Sequence, residues 1–500
     1  MNLYTNEEMR AIDRDAMARY GIAGAVLMDN AGKAVAHLIA EHYSSDTVVG
    51  IVCGKGNNGG DGIATAYHLS SMGFKKIIVV VLPHKDEIRG DALFHFEKLD
   101  AHKISIKTHD DIHVLKDCQL IVDAILGTGL REEVREPFRA VIHFINALQK
   151  QVISIDVPSG LSSDTGEVLG TCIRAHATVT LAGAKVGCVL HQAAPYVGHL
   201  HMKDIGIPAV LLRSNKKLLE KKYVQSLIPM RAIDAHKGSF GHVLSIGSAP
   251  GMPGAIQMSA LAALRIGCGV STIAHLAQID RPALELISYK LGFLWKRKLK
   301  KLLKEKQALA LGPGLGVSWK AKKMVHYILK NFQGPLVVDA DALNSISEMK
   351  NGNEIIHFLQ QRKTEAVFTP HPGEFSRLTH YSTAEVQKHR TEFAQEFAHK
   401  WNVVLVLKGS GTVIASPRGE TFINPTGNPG MASAGMGDVL TGMIAGLLAQ
   451  GLKPLQAAEL GVYLHGFIGD RLKDEKGVAG LLASDLITKI PESLELLKTS

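Results

Sequence analysis

Along both halves of this 500-residue chain, short apolar runs rich in β-branched residues alternate with stretches whose apolar residues recur at helical spacing. In the first half the strand-like runs cover 47–53, 76–82, 119–125 and 151–155. Thr5 with Glu8 forms a capping box ahead of a helix reaching about residue 19. A second helix covers about 23–42, and others follow Asp61 and Ile88. Strands of this length separated by helices require a parallel sheet with helices on both faces. Such sheets place their ligand sites at the carboxyl ends of the strands. Around 207–231 the pattern breaks, and a lysine-rich stretch at 216–222 separates two such halves. The second half has strand-like runs at 241–246, 308–311, 335–339, 365–369 and 403–407, then two hairpin strands, a glycine loop and a helical tail. The expectation is an α/β protein of two domains, residues 1–215 and 222–500, each a three-layer αβα sandwich.

Composition narrows the functional classes. With 46% hydrophobic and 21% charged residues the chain has the make-up of a folded, soluble protein. No run approaches the roughly eighteen apolar residues of a membrane helix, and the first residues lack a basic segment followed by an apolar one, so no membrane role and a cytoplasmic location are expected. The net charge of +9 invites a nucleic-acid partner, but the basic residues are scattered. Their densest cluster, 296–304, carries leucines at helical spacing and reads as a solvated amphipathic face. An attraction for small phosphate-bearing molecules accounts for the charge equally well. The five cysteines form no CxxC pair and are expected buried and reduced.

Chemistry concentrates at the strand tips. After the first long strand comes Gly54-Lys55-Gly56-Asn57-Asn58-Gly59-Gly60-Asp61. Glycines opening a helix suit an anion, because the first N–H groups of a helix have no internal partner. An ordinary dinucleotide fingerprint would also need an acidic residue at the tip of the second strand, and 79–83 carries none. Asn57, Asn58 and Asp61 crowd together instead, and such a density of polar oxygen calls for a ligand or a hard cation. Asp123 and Asp156 each end an apolar run, as acid–base groups in a cleft do.

These segments, with Val122 to Leu130 and Asp156-Val157-Pro158-Ser159-Gly160-Leu161, resemble the NAD(P)H-hydrate epimerase family over roughly residues 1–215, a Rossmann-like domain. The resemblance implies that Asn57, Asn58, Gly59, Gly60 and Asp61 contact the hydrated nucleotide. It implies the same for Gly127, Thr128, Gly129, Leu130, Arg131, Glu132, Glu133 and Asp156. Asn58, Asp123 and Ser159 would bind K⁺, and Asp156 would transfer the proton, with Lys185 a weaker candidate.

The second glycine motif, Gly435-Met436-Gly437-Asp438, precedes an apolar helix with small residues for close packing. Its amides suit a phosphoryl group and its aspartate can deprotonate an attacking hydroxyl. Upstream stand a turn-rich loop, 424–431, and Lys408-Gly409-Ser410-Gly411-Thr412, which offers a cation and hydroxyls to a nucleotide. With the segments at 236–244, 251–255, 312–316, 338–344 and 369–374, these resemble the ribokinase-like superfamily, and within it the ADP-dependent NAD(P)H-hydrate dehydratase family, over roughly 222–500. By that resemblance Ala255, Gly314, His371 and Asp438 would hold the hydrate, and Lys408, Gly409, Ser410, Gly411, Thr412 and Gly437 the adenine nucleotide. Ala434 stands where the family usually has a further glycine. His371, between two prolines, could instead stiffen a turn.

Together the two resemblances imply a metabolite-repair enzyme that epimerises R- and S-NAD(P)HX and dehydrates the S form, with Asp156 and Asp438 catalytic. ADP, Mg²⁺ and K⁺ are the expected cofactors, NAD(P)HX and an adenine nucleotide the ligands, and a homo-oligomer the expected assembly. The alternative is a ribokinase-like kinase for a sugar or vitamin alcohol, carrying a non-catalytic nucleotide-binding N-terminal domain.

Overall fold

A computed structural model describes residues 1–101, 104–280, 282–349 and 352–499. The chain divides into two units, Met1–Lys216 and Lys217–Ser500. The first contains β1 (Asn2–Tyr4), β2 (Val48–Cys53), β3 (Lys76–Val81), β4 (Ser105–Thr108), β5 (Leu120–Ala124), β6 (Gln151–Ile155), β7 (Ala177–Leu181), β8 (Ala184–Lys185) and β9 (His199–Lys203). Seven of these form a parallel sheet in the order β4-β3-β2-β5-β6-β7-β9. The chain runs outward from β2 to β4, then returns to β5 on the other side of β2. The strand order therefore reverses between β2 and β5, the place where an open α/β sheet leaves a crevice for a ligand.

The sheet is buried on both faces, which is why its strands read as continuous apolar runs. Ile51, Val79, Val122 and Ile153 pack into one layer of core, Val52, Val80, Ile121 and Val152 into the other. Helices Gly24–His42 and Asn57–Ser71 lie close together on the first face: a Cβ on Gly32 would stand 2.5 Å from that of Ala64.

A short strand, β10 (Lys216–Leu218), spans the boundary between the units. The second unit contains β11 (His242–Gly247), β12 (Val270–His275), β13 (Ile287–Lys290), β14 (Ala308–Leu311), β15 (Leu336–Val338), β16 (Ala366–Phe368), β17 (Val403–Leu407), β18 (Val413–Ala415) and β19 (Thr421–Ile423). Their order is β13-β12-β11-β14-β15-β16-β17-β18-β19, parallel as far as β17 and antiparallel through the last hairpin. Again the order reverses, here between β11 and β14. Helix Met436–Ala449 is buried along nearly its whole length. Both units are α/β with helices on both faces, as the alternation requires. Among the described residues no helix is long and apolar enough to cross a membrane.

Two expectations need correction. The helix expected after Asp61 begins at Asn57, so the Asn57–Asp61 segment forms its first turns. Gly59 and Gly60, poor helix formers, conceal that start. At Gly59 the need for glycine is steric, since a Cβ would lie 1.9 Å from the carbonyl oxygen of Gly54. Strands β4, β7, β9, β12 and β13 lie outside the expected set, because polar residues such as Lys107, Thr178, His201, Thr272 and Ser288 interrupt their apolar pattern.

Candidate active sites

The first site is built at the β2–β5 crevice. Gly56 caps helix Asn57–Ser71 without a side-chain bond, leaving the first amides of the helix available to an anion. Gly54 sits against the β5 exit, where a Cβ would meet the Ile125 carbonyl oxygen at 1.9 Å. The Asn58 side chain is 8% exposed, and neither its oxygen nor its nitrogen has a hydrogen-bond partner. It lies against Gly127, whose Cβ would be 3.1 Å from that of Asn58. Next to Gly127, the amide of Leu126 donates to Ser159 Oγ at 2.8 Å, and that hydroxyl donates to Asp123 at 2.5 Å. Asp123 is fully buried and also accepts the Ser154 hydroxyl at 2.8 Å and the Ser159 amide at 2.9 Å. Burial raises its pKa, and the donors from Ser159, Ser154 and Ile125 oppose that rise. Asp123 and Ser159 thus form a hydrogen-bonded, oxygen-rich pair at the β5 exit, and the orphaned Asn58 carboxamide stands against Gly127, one residue beyond the Leu126 that bonds Ser159.

Asp156 follows β6 in the left-handed region, at φ 65°, a conformation costly for a non-glycine residue and characteristic of functional turns. Its carboxylate takes a hydrogen bond from the amide of Leu181 at 3.1 Å and pairs with Lys185. Lys185, which the sequence made only a secondary candidate, is 2% exposed. Its ammonium also donates to Thr180 Oγ1 at 3.3 Å and the Leu181 carbonyl at 2.9 Å. A solvated loop lysine is ruled out by that burial.

Asp61 stands close enough to this pair for burial, Asp156 and Asp13 to push its pKa well above the usual carboxylate range, against the pull of Lys185. Asp13 was absent from the sequence-derived set. It lies on helix Asn6–Tyr20, and helical spacing alone gave no sign that it faces the site. The remaining expected contacts, Thr128, Gly129, Leu130, Arg131, Glu132 and Glu133, line an irregular and largely exposed loop beyond Gly127.

The second site gathers around one lysine. Lys408, just after β17, donates to Asp339 Oδ1 at 2.8 Å and stands 4.0 Å from Glu374 Oε2. Burial disfavours its charge, but Asp339, Glu374 and Asp438 outweigh burial and hold its pKa above the ordinary lysine value. Asp339, itself 1% exposed, accepts Thr441 Oγ1 at 2.6 Å on its other oxygen. Gly437 brings the start of helix Met436–Ala449 to this group, where a Cβ would be 3.2 Å from the lysine nitrogen. One residue on, Asp438 is half-buried, and burial with the neighbouring Asp339 raises its pKa to about 7, against the pull of Lys408.

Other expected residues assemble nearby or hold the frame. Gly314 (φ 61°) abuts Ala255, its Cβ position 3.2 Å from the alanine methyl. His371 caps helix Pro372–Thr379, its Nδ1 accepting the amides of Gly373 at 3.0 Å and Glu374 at 3.3 Å, so the turn-stiffening role is present in the fold. Its Nε2 stands 3.5 Å from Glu374 Oε1, and burial, Lys408 and Arg377 depress its pKa. The Lys408–Thr412 loop turns on Gly409 and Gly411, both with positive φ, and Ser410 is exposed at its tip. Arg390, missed from the sequence, secures that loop by donating to the carbonyls of Leu407 at 2.9 Å and Lys408 at 3.2 Å. Asp339 and Glu374 were read only as parts of matching segments, although Asp339 carries the strand-tip signal that singled out Asp123 and Asp156. Ala434 does not adopt a positive φ, so its methyl group is accommodated.

Two family models match separate parts of the chain. A model of NAD(P)H-hydrate dehydratases matches residues 243–492, and one of the YjeF-related protein N-terminus matches 24–187. The chain is 40% identical to a bifunctional NAD(P)H-hydrate repair enzyme of Moorella thermoacetica, over 100% of this chain and 97% of that one. The chain belongs to the bifunctional NAD(P)H-hydrate repair enzyme family. A family member from Coxiella burnetii is 38% identical, over 97% of both chains. Among solved structures, the ADP/ATP-dependent NAD(P)H-hydrate dehydratase of Bacillus subtilis, co-crystallised with ATP and Mg²⁺, is 33% identical with a TM-score of 0.50, covering 57% of this chain and all of that one. A ribokinase-like superfamily protein of Enterococcus faecalis is 30% identical with a TM-score of 0.51, covering 58% of this chain and 98% of that one.

Proposed function

We propose that this member of the repair family interconverts the R and S epimers of hydrated NADH and NADPH in its first unit. Its second unit then dehydrates the S epimer at the expense of an adenine nucleotide. The observation that carries the second half is Asp438, a carboxylate with a pKa near neutrality at the start of a helix, beside a lysine that faces more carboxylates than it can neutralise. Hydroxide is a poor leaving group, so the C6 hydroxyl must first be phosphorylated. Asp438 takes the hydroxyl proton, as a base near its working pH does best. The electron pair of the ring nitrogen then expels phosphate from C6, and loss of a proton from C5 restores the ring double bond of the dihydronicotinamide. With ADP as donor the products are NAD(P)H, AMP and phosphate. Gly437 and Lys408 receive the nucleotide phosphates, and Ala255, Gly314 and His371 the hydrate.

Two ions complete the reading. The surplus carboxylate charge of Asp339 and Asp438 fits Mg²⁺ entering with the nucleotide, which neutralises phosphate charge. In the first unit, the unbonded Asn58 oxygen at the Gly127 turn, with the oxygens of Asp123 and Ser159, fits K⁺, a hard cation served by oxygen donors. Asp156 with Lys185 moves the proton during epimerisation, and the Gly127–Glu133 loop and the Asn57–Asp61 turn hold the nucleotide. The assignment carries two further expectations, a cytoplasmic location where these cofactors turn over, and a homo-oligomer, which sedimentation would test.

The deciding experiment follows the absorbance of reduced nicotinamide after adding the protein to mixed R/S NADHX with Mg²⁺, K⁺ and either ADP or ATP. Complete conversion is expected with ADP, and an Asp156→Ala variant should stop once the S form is consumed. No NADH with either nucleotide would defeat the repair reading and leave an alcohol kinase.

A further inference from the structure

Helix Asn6–Tyr20 carries Asn6, Arg10 and Asp13 at i, i+4 and i+7, a polar stripe beside its buried face of Met9, Ile12 and Ala16. Strand β1, immediately ahead, pairs in parallel with β8 and sets Tyr4 opposite Lys185. Its fit is close, since a Cβ on Gly183 would strike the Tyr4 ring at 2.3 Å. Thr5 caps the helix directly after that strand, accepting the Glu8 amide at 3.3 Å. The stripe is thereby fixed beside β8, whose Lys185 pairs with Asp156.

Three observations agree on what the stripe faces. The Arg10 guanidinium reaches the Gly127–Glu133 loop, its terminal nitrogen 3.4 Å from where a Gly129 Cβ would be, and among the described residues it makes no ion pair. Asp13 is half-buried and lies within electrostatic reach of both Lys185 and Asp156. Asn6 is 3% exposed with its side-chain oxygen unbonded. The N-terminal domain match begins at residue 24, so all three residues lie ahead of it.

We propose that this helix forms one wall of the epimerase site, with Arg10 binding a phosphate group of the hydrated nucleotide and Asp13 positioning Lys185 for Asp156. The inference rests on the epimerase reading above. A guanidinium is suited to the first task because its planar fork matches a phosphate and keeps its charge at every working pH. Asp13 suits the second because an acidic side chain within electrostatic reach of both Lys185 and Asp156 favours one placement of the ammonium between them.

The test uses the full chain and pure R epimers of NADHX and NADPHX, with ADP, Mg²⁺, K⁺ and an excess of the Asp156→Ala variant as coupling dehydratase. Arg10→Ala should raise KM for the R epimer about tenfold or more and leave kcat within about twofold, with Arg10→Lys recovering part of the loss. A larger KM effect with NADPHX than with NADHX assigns the contact to the ribose phosphate, and an equal one to the pyrophosphate. Asp13→Asn should lower kcat about tenfold at unchanged KM, with partial rescue in Asp13→Glu. A wild-type KM in Arg10→Ala overturns the phosphate role, and a wild-type kcat in Asp13→Asn overturns the positioning role. Because Arg10 is exposed, its replacement does not threaten folding. An unaltered enzyme that fails to convert the R epimer counts against the epimerase reading instead.

Discussion

Asp438 shares one half-buried lysine with Asp339 and Glu374, and that crowding sets its chemistry. With a pKa of about 7 it is half-ionised at neutrality. Dehydration of S-NADHX should therefore slow as pH falls below about 7, a limb visible in kcat/KM against pH. Asp438→Asn should lower that rate by about 10²–10⁴-fold and leave epimerisation intact, measured as loss of R-epimer signal by chromatography. Glu459 presents the opposite case, a buried carboxyl with no catalytic partner. It is fully buried, accepts the Tyr223 hydroxyl at 2.9 Å on one oxygen and has no partner on the other. Burial raises its pKa from 4.5 to about 7. The folded value lies above the unfolded one, so its contribution to stability is complete at acid pH and is lost as pH rises from about 4.5 through 7. The loss is of order 3 kcal/mol. Thermal melts of Glu459→Gln should depend less on pH between about 5 and 8 than those of the unaltered protein; identical slopes would remove Glu459 from the account.

At the scale of elements, what holds each site is the close approach of helices and loops over glycines. Gly442, in helix Met436–Ala449, faces helix Pro253–Arg265, where a Cβ would lie 1.9 Å from the Ser259 carbonyl oxygen. Gly442→Ala should destabilise the second unit by about 1–3 kcal/mol, readable as a lower denaturant midpoint, because backbone cannot yield as a flexible side chain can. The same kind of contact explains what the sequence concealed. Strand tips announced Asp123, Asp156 and the glycine loops, because an apolar run ending in an acid is a local pattern. The start of helix Asn57–Ser71 was hidden, because its glycines answer to the neighbouring backbone rather than to helix propensity. Asp13, Arg10 and Arg390 were illegible for a related reason. Each is an ordinary polar residue on a helix, and only the packing of that helix decides whether it faces solvent, a carbonyl or a substrate loop. Lys185 looked like a solvated loop residue until β8 and its Asp156 partner buried it.

For the molecule as a whole, each unit carries its own strand-order reversal, its own two-layered core and its own aspartate proposed as the acid–base group. The two activities should accordingly be separable. A mixture of Asp156→Ala and Asp438→Asn proteins should convert mixed R/S NADHX completely, since the epimer can diffuse from one chain to the other. Incomplete conversion by the mixture, with each remaining activity intact, would mean that the substrate must pass within a single chain. Replacing K⁺ by tetramethylammonium should slow epimerisation alone, and a parallel loss of dehydration would remove the Asn58–Asp123–Ser159 assignment. The parallel pairing of β1 with β8, Leu3 beside Ala184, also orders the birth of the first unit. Such a long-range pairing closes late, after the local βα units have collapsed. A chain still on the ribosome can assemble β2 to β6 and the crevice between them. It gains its first strand's berth only once β8 has emerged, and that strand arrives together with the lysine it flanks. On the proposed roles of Asp156 and Lys185, epimerisation is expected only in chains long enough to have released that strand.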